Sequence, residues 1–170
     1  YYARFVNITK DFDTDSEHVE FGNAMASQLL DMWLIMGEPS DFRIVEMGAG
    51  RGTLAKNILE YLSKEPRAKD LYKNLKYIIV DVSGHLKAIQ AQSVSNFSDR
   101  VEWKNLEELE GIQGVFISNE LVDAFPVHII RKQDGRFREV FVSLKDGSFT
   151  EEMGELSTQE MKDYAQGLVS

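Results

Sequence analysis

The residues best placed to do chemistry in this 170-residue chain are Gly48, Gly50 and Gly52, set behind the acidic Glu46. Glycines spaced in this way between a strand and a helix let main chain approach a ligand with no Cβ in the way. A dinucleotide fingerprint, G-x-G-x-x-G, needs its third glycine at position 53, where this chain has Thr53. A P-loop needs Lys followed by Ser or Thr after its last glycine, and Thr53-Leu54 supplies no lysine. Both phosphate readings weaken, and a nicotinamide oxidoreductase weakens with them. A ligand without phosphate fits better: Glu46 can meet a cationic group, and backbone N–H groups at the start of the next helix can meet a carboxylate.

Three further places carry candidate chemistry. Asp81 ends the second buried strand, where a carboxylate can accept hydrogen bonds from two ribose hydroxyls. Asn105 and Leu106 follow the third strand, a polar group and an apolar wall of the kind that frames a nucleobase. Asn119, Glu120 and Asp123 cluster after the fourth strand, where open sheets present groups to a substrate crevice; carboxylates there match the planar fork of a guanidinium. His18, His85 and His128 lack metal-ligand spacing and the chain has no cysteine, so no metal site is expected. Ser83 precedes a helix without a G-x-S-x-G elbow and reads as an N-cap.

The elements that must position these residues are legible in the apolar pattern. Thr14-x-x-Glu17 reads as a capping box, followed by a helical stripe of Val19, Met25, Leu29, Leu30, Trp33 and Leu34 that stops at Gly37 and Pro39. A strand over 42–47 runs into the glycine loop, and Leu54, Ile58, Leu59 and Leu62 mark the next helix, closed by Pro66. Tyr77-Ile78-Ile79-Val80 and Val115-Phe116-Ile117 read as strands buried on both faces. Between them lie a helix with Leu86, Ile89 and Val94 and a short strand over 101–103, where Trp103 serves equally well as a core residue. This alternation predicts an α/β fold with a doubly wound, mostly parallel sheet and helices on both faces. After Pro126, Asp134-Gly135 and Asp146-Gly147 predict the hairpin turns of an antiparallel meander, and Ser157-x-x-Glu160 opens a last amphipathic helix through Met161, Tyr164, Ala165 and Leu168. Residues 1–125 are read as a Rossmann-like portion, with 126–170 continuing the same domain. About four parallel strands are visible, fewer than a typical ~5–6, so the chain is expected to be an incomplete portion of a larger fold.

Composition narrows the partners. A balance of 19 basic against 28 acidic residues gives −9, an unfavourable field for nucleic acid and one that suits cationic substrates. No apolar run approaches the ~20 residues that span a bilayer, so membrane insertion is not expected.

The acidic-x-Gly-x-Gly-x-Gly run resembles the first motif of class I methyltransferases, which bind S-adenosylmethionine. Beyond the loop, the chain is similar to the MidA / NDUFAF7 family of such enzymes, whose members include a protein arginine methyltransferase of mitochondrial complex I assembly. The likeness rests on Lys10-Asp11-Phe12-Asp13-Thr14 with Phe21-Gly22, on Val45 to Thr53, on Val80-Asp81-Val82-Ser83 with Leu86 and Gln90, and on Ser118 to Val127. The Asn-Glu-x-x-Asp-Ala-x-Pro run in the last is its most specific part. The family usually has Glu where Asp81 stands and Thr-Ala-Pro-Glu where this chain has Thr14-Asp15-Ser16-Glu17. The resemblance implies that Phe12 and Thr14 lie over the cofactor and that Glu46, Gly48, Gly50, Gly52 and Asp81 bind it; Ala49, Thr53 and Val82, beside these in the chain, are expected to bind it with them, and Asn105 and Leu106 from their place after the third strand. It implies that Asn119, Glu120 and Asp123 face the substrate. The expected activity is methyl transfer to a protein arginine, on a complex I subunit, in the mitochondrion of a eukaryote or the cytoplasm of a bacterium. Two other readings stand beside it: a non-catalytic or weakly active cofactor-binding assembly module, and a methyltransferase of a small molecule.

Overall fold

A computed structural model describes residues 18–168 of the chain, as two compact units that divide after Asp123. That boundary lies two residues before the expected division at 125/126. The Thr14-x-x-Glu17 capping box, Phe12 and Thr14 lie outside the described residues.

The first unit opens with α1 (Val19–Ile35), which buries Gly22, Ala26, Leu29, Leu30 and Trp33. Val19 and Leu34, expected in the same stripe, are exposed. The reason is angular: Leu34 lies about 100° round the helix from Trp33, and Val19 sits at the first helical position. The helix ends as the glycine and proline signalled. Gly37 takes φ +83°, its N–H reaches the Leu34 carbonyl at 3.0 Å, and the Trp33 indole N–H donates to the Pro39 carbonyl at 3.0 Å.

Strand β1 (Arg43–Met47) then leads through the glycine loop to α2 (Thr53–Lys64), whose Leu54, Ile58, Leu59 and Leu62 are buried. A turn at Pro66–Ala68 and the short α3 (Lys69–Asn74) lead to β2 (Lys76–Val80), where Tyr77, Ile78 and Ile79 are fully covered, as their unbroken apolar run demands. Helix α4 (Gly84–Ser93), β3 (Val101–Trp103) and β4 (Gly114–Ser118) complete the unit. The four strands are all parallel in the order β3-β2-β1-β4. The chain therefore reverses its winding direction between β1 and β4, and open sheets of this kind bind ligands outside the strand ends at such a switch point.

Strand β4 departs from expectation. It was expected to be buried on both faces, yet Phe116 is 51% exposed. Among the described residues β4 is an edge strand paired only with β1, and the sheet face from which Phe116 projects is only half covered there.

The second unit is a meander of β5 (Ile129–Gln133), β6 (Arg136–Lys145) and β7 (Ser148–Gly154), followed by α5 (Gln159–Gly167). Both turns use the expected pairs, Asp134-Gly135 and Asp146-Gly147, with positive φ at each of the four residues. Two consecutive positive φ angles define the type I′ turn, whose twist matches that of the flanking strands. The start of α5 is displaced by one residue from the sequence expectation. Thr158, not Ser157, is the N-cap, its hydroxyl accepting from the Met161 N–H at 3.2 Å. The Ser157 N–H is instead committed to Glu139, at 2.8 Å. In α5 only Met161 and Ala165 are buried; Tyr164 and Leu168, expected on the apolar face, are exposed.

Candidate functional site

Strand register decides which candidates share an edge. Met47 is level with Val80 on one side and Ser118 on the other, and Trp103 is level with Ile79. The segments that follow these residues, 48–52, 81–83, 119–123 and 105–106, therefore leave the sheet at its carboxyl edge. The glycine loop and the Asn119–Asp123 segment flank the switch point and touch: a Cβ built on Gly48 would lie 2.6 Å from Leu121 Cδ1.

The three glycines have three different reasons. All have positive φ, at +71°, +53° and +79° for Gly48, Gly50 and Gly52. Gly48 makes room for Leu121, and a Cβ on Gly52 would press on Gln90 Cα at 3.3 Å, so at both positions a side chain would meet the protein itself. Around Gly50 nothing lies within 4 Å of where a Cβ would stand. Its bare backbone thus faces open space. Ala49 is buried between them, and Gly52 is the left-handed N-cap of α2, whose first turn, beginning at Thr53, contains no acidic residue. A negative group near that helix end would meet the positive pole of the dipole unopposed by a side chain of the turn.

Glu46 lies beneath this loop. The residue is 3% exposed, and its carboxyl accepts the Tyr77 hydroxyl at 2.8 Å. Burial, followed by the nearby charge of Asp81, raises its pKa to about 7 even though the Tyr77 hydrogen bond pulls it down. The same arrangement pushes the Tyr77 hydroxyl well above its ordinary value, first through burial and then through the Glu46 charge. Glu46 is therefore turned toward Tyr77 within the protein, beneath the loop at which the sequence reading has it meet a cationic group.

Asp81 is held from two directions. One oxygen accepts the Ser83 N–H at 2.9 Å, and the other accepts the Gln90 amide at 2.8 Å. Each carboxylate oxygen has about two acceptor sites, so both retain capacity for a further donor. Ser83 also caps α4, as its place before the helix predicted, accepting from Leu86 N at 3.3 Å. Val82, next to Asp81, is fully exposed, and Leu106 beyond the neighbouring β3 is 52% exposed. Asn105 is exposed, its N–H bound by the Glu108 carboxylate at 2.6 Å. Apolar side chains left bare on adjacent strand ends beside a fixed carboxylate suit the face of a nucleobase and its sugar.

Asn119 is half-buried and Glu120 and Asp123 are exposed. Glu120 takes φ +46°, a left-handed conformation uncommon for a residue with a Cβ, and Asp123 sits in the single turn Val122–Ala124. The edge thus brings together all the candidates in the described residues. Two further members were missed: Tyr77, read only as part of an apolar run, and Gln90, noted only within the family likeness. Both left a signal. A tyrosine in a fully buried strand needs a partner for its hydroxyl, and Gln90 occupies the i+4 place in the stripe Leu86–Gln90–Val94 where an apolar residue would be the default.

Among the described residues no group of three or more His, Asp or Glu is arranged to hold a metal, and no helix is long and apolar enough to cross a membrane.

Comparison with known proteins agrees with this geometry. The crystal structure of a COG1565 superfamily member from Burkholderia thailandensis, bound to S-adenosyl-homocysteine, superposes with a TM-score of 0.72 at 29% identity, covering 95% of this chain and 40% of that one. The mitochondrial protein arginine methyltransferase NDUFAF7 homolog of Drosophila melanogaster is 28% identical over 164 residues, 84% of this chain and 37% of its own length. The human NDUFAF7 protein is 27% identical over 167 residues, again 84% of this chain and 37% of its own length. The chain thus spans a little over a third of the curated relatives it matches. Residues 24–169 match the profile of a family of S-adenosyl-L-methionine-dependent methyltransferases, Methyltransf_28. With strand order, loop and profile in accord, the chain belongs to that S-adenosyl-L-methionine-dependent methyltransferase family.

Proposed function

We propose that this chain is the cofactor-binding portion of a methyltransferase that transfers a methyl group from S-adenosylmethionine to an arginine of a protein. The observation that carries the cofactor part is the open space over Gly50 beside an Asp81 carboxylate held in place. In this reading Asp81 accepts the ribose hydroxyls, and Val82 and Leu106 flank the adenine, with Asn105 at its rim. Gly48, Ala49, Gly50, Gly52 and Thr53 present main chain to the amino-acid end, whose carboxylate takes the N-terminus of α2. Glu46 acts from below the loop as a buried acid whose charge favours the cofactor's cationic end. Phe12 and Thr14 complete the set on the strength of the family likeness.

Asn119, Glu120 and Asp123 are assigned to the acceptor. When bound, the cofactor supplies the activated methyl group. The carboxylates hold the guanidinium by paired charge-assisted bonds, aim its nitrogen along the line to the methyl carbon, and accept the proton that nitrogen gives up. Most of the rate gain in such a site comes from this positioning. The mitochondrial NDUFAF7 relatives extend the reading to the mitochondrion, and the family resemblance in the sequence extends it to a subunit of respiratory complex I.

The test is to incubate the protein with S-adenosylmethionine labelled in its methyl group and a candidate acceptor protein. Label recovered on arginine supports the reading. Label on another residue or on a small molecule overturns the acceptor assignment, and absence of S-adenosylhomocysteine binding by calorimetry overturns the cofactor assignment.

A further inference from the structure

Gln90 is completely buried, yet its side chain makes hydrogen bonds to three separate elements of the site. Its amide nitrogen donates to the Gly50 carbonyl at 3.0 Å and to Asp81 Oδ2 at 2.8 Å. Its amide oxygen accepts the Trp103 indole N–H at 2.9 Å. An indole N–H only donates, so Trp103 settles which end of the amide is oxygen and leaves both N–H groups for the loop and the acid. All the hydrogen-bonding groups of this side chain except one oxygen lone pair are thereby used, at partners on the β1 loop, at the end of β2 and on β3.

The helix that carries Gln90 is registered on the loop at more than one point. Ser93, three residues along α4, directs its hydroxyl at the Gly52 carbonyl at 3.4 Å, and the approach of Gln90 Cα adds to the positive φ that favours glycine at position 52. In a trans peptide the carbonyl and the following N–H point to opposite sides. Fixing the Gly50 carbonyl on Gln90 therefore aims the Arg51 N–H away from α4. The same amide fixes the Asp81 rotamer, so one side chain sets both the main-chain and the carboxylate halves of the cofactor edge.

We propose that Gln90 is a positioning residue for the cofactor: it holds the Gly50–Arg51 peptide and the Asp81 carboxylate in their binding geometry before the ligand arrives. This rests on the cofactor assignment above. A leucine at this helical position would fill the space but leave the Gly50 carbonyl, the Asp81 oxygen and the Trp103 N–H without partners.

The test is Gln90→Glu, which preserves shape but turns the two donors into acceptors facing acceptors. S-adenosylhomocysteine and adenosine affinities are measured by calorimetry between pH 5.5 and 8.5, beside Trp103→Phe and Asp81→Ala. For Gln90→Glu the loss at pH 8 is expected to be about 30-fold or more, the equivalent of two ordinary hydrogen bonds. Affinity should recover toward pH 5.5, where the introduced carboxyl, once protonated, again donates to Asp81. S-adenosylhomocysteine should lose more than adenosine, because adenosine reports only the displaced ribose acid and lacks the amino-acid end that meets the Gly50–Arg51 main chain. Gln90→Glu combined with Asp81→Ala should lose less than the two single losses together, keeping only the Gly50 part of the Gln90→Glu effect, and Trp103→Phe, which frees the amide to turn over, should lose about 3- to 10-fold. If the wild-type protein binds but Gln90→Glu binds equally well, or loses affinity to the same extent at every pH, the positioning role is wrong. If Gln90→Glu does not fold, the Trp103→Phe result decides, and unchanged affinity there overturns the proposal. If the wild-type protein binds neither ligand, the cofactor assignment fails and the proposal falls with it.

Discussion

Replacing Glu46 by glutamine isolates the cost of keeping a carboxyl under the glycine loop. The residue is 3% exposed, and its pKa is raised from 4.5 to about 7, chiefly by burial. In the unfolded chain it titrates near its ordinary value, so between pH 4.5 and about 7 the folded protein holds a proton that the unfolded chain has released. The group's contribution to stability is therefore full below about pH 4.5 and is lost as pH rises through about 7. A tenfold change in proton affinity between the folded and unfolded states is worth about 1.4 kcal/mol, so the loss is on the order of 3 kcal/mol by pH 8. Glutamine carries no charge at any pH, and its carbonyl oxygen can still accept the Tyr77 hydroxyl. Urea denaturation at pH 4.5, 6, 7 and 8 should show wild type and Glu46→Gln close together at the acid end. They should then separate as pH rises, with the variant the more stable by roughly 3 kcal/mol at pH 8. Tyr77→Phe removes the bond that lowers the Glu46 pKa and should move the wild-type decline to higher pH. Parallel stability profiles for Glu46→Gln and wild type, or a variant weaker at pH 8, would refute the assignment of a costly buried charge.

Other outcomes follow from the glycines and the core. Gly50→Ala should fold with a loss of about 1 kcal/mol from its positive φ, yet bind S-adenosylhomocysteine at least about 10-fold more weakly by calorimetry; Gly50→Val should abolish binding. Gly48→Ala should lower the thermal midpoint further than Gly50→Ala does, because its Cβ meets Leu121 Cδ1 at 2.6 Å. Gly22→Ala should destabilise strongly in denaturant titration, since its Cβ would stand 2.4 Å from Asn57 Cβ between α1 and α2. Ile58→Ala, at a fully buried position, should cost about 2–5 kcal/mol by urea denaturation with no change in the pH profile of Glu46.

Local chemistry was legible because it is local. The αL stop at Gly37, the type I′ turns at Asp134-Gly135 and Asp146-Gly147, and the N-cap at Ser83 each depend on residues within a few positions of one another. The buried run of β2 and the alternation of strand and helix are likewise properties of short windows, and they sufficed for a parallel sheet with a glycine loop after β1. Motif spacing separated this loop from the phosphate-binding ones. Errors arose where a neighbour distant in sequence decided: the face of β4 that carries Phe116 is left half-open among the described residues, and the Ser157 N–H goes to Glu139, 18 residues earlier, while the Thr158 hydroxyl caps the helix.

The amino-acid sequence by itself determined which residues would gather at the carboxyl edge of the sheet, because strand periodicity and loop position are enough to place Gly50, Asp81 and Asn119 at consecutive strand ends. Only the tertiary structure decided what each does there. It turned Glu46 inward to Tyr77, reserved open space for Gly50 alone among the three glycines, and tied Asp81 to the loop through Gln90. Those outcomes depend on packing between residues from 9 positions apart, for Asp81 and Gln90, to 73, for Gly48 and Leu121, where burial and hydrogen-bond geometry, not residue type, set the direction of a side chain.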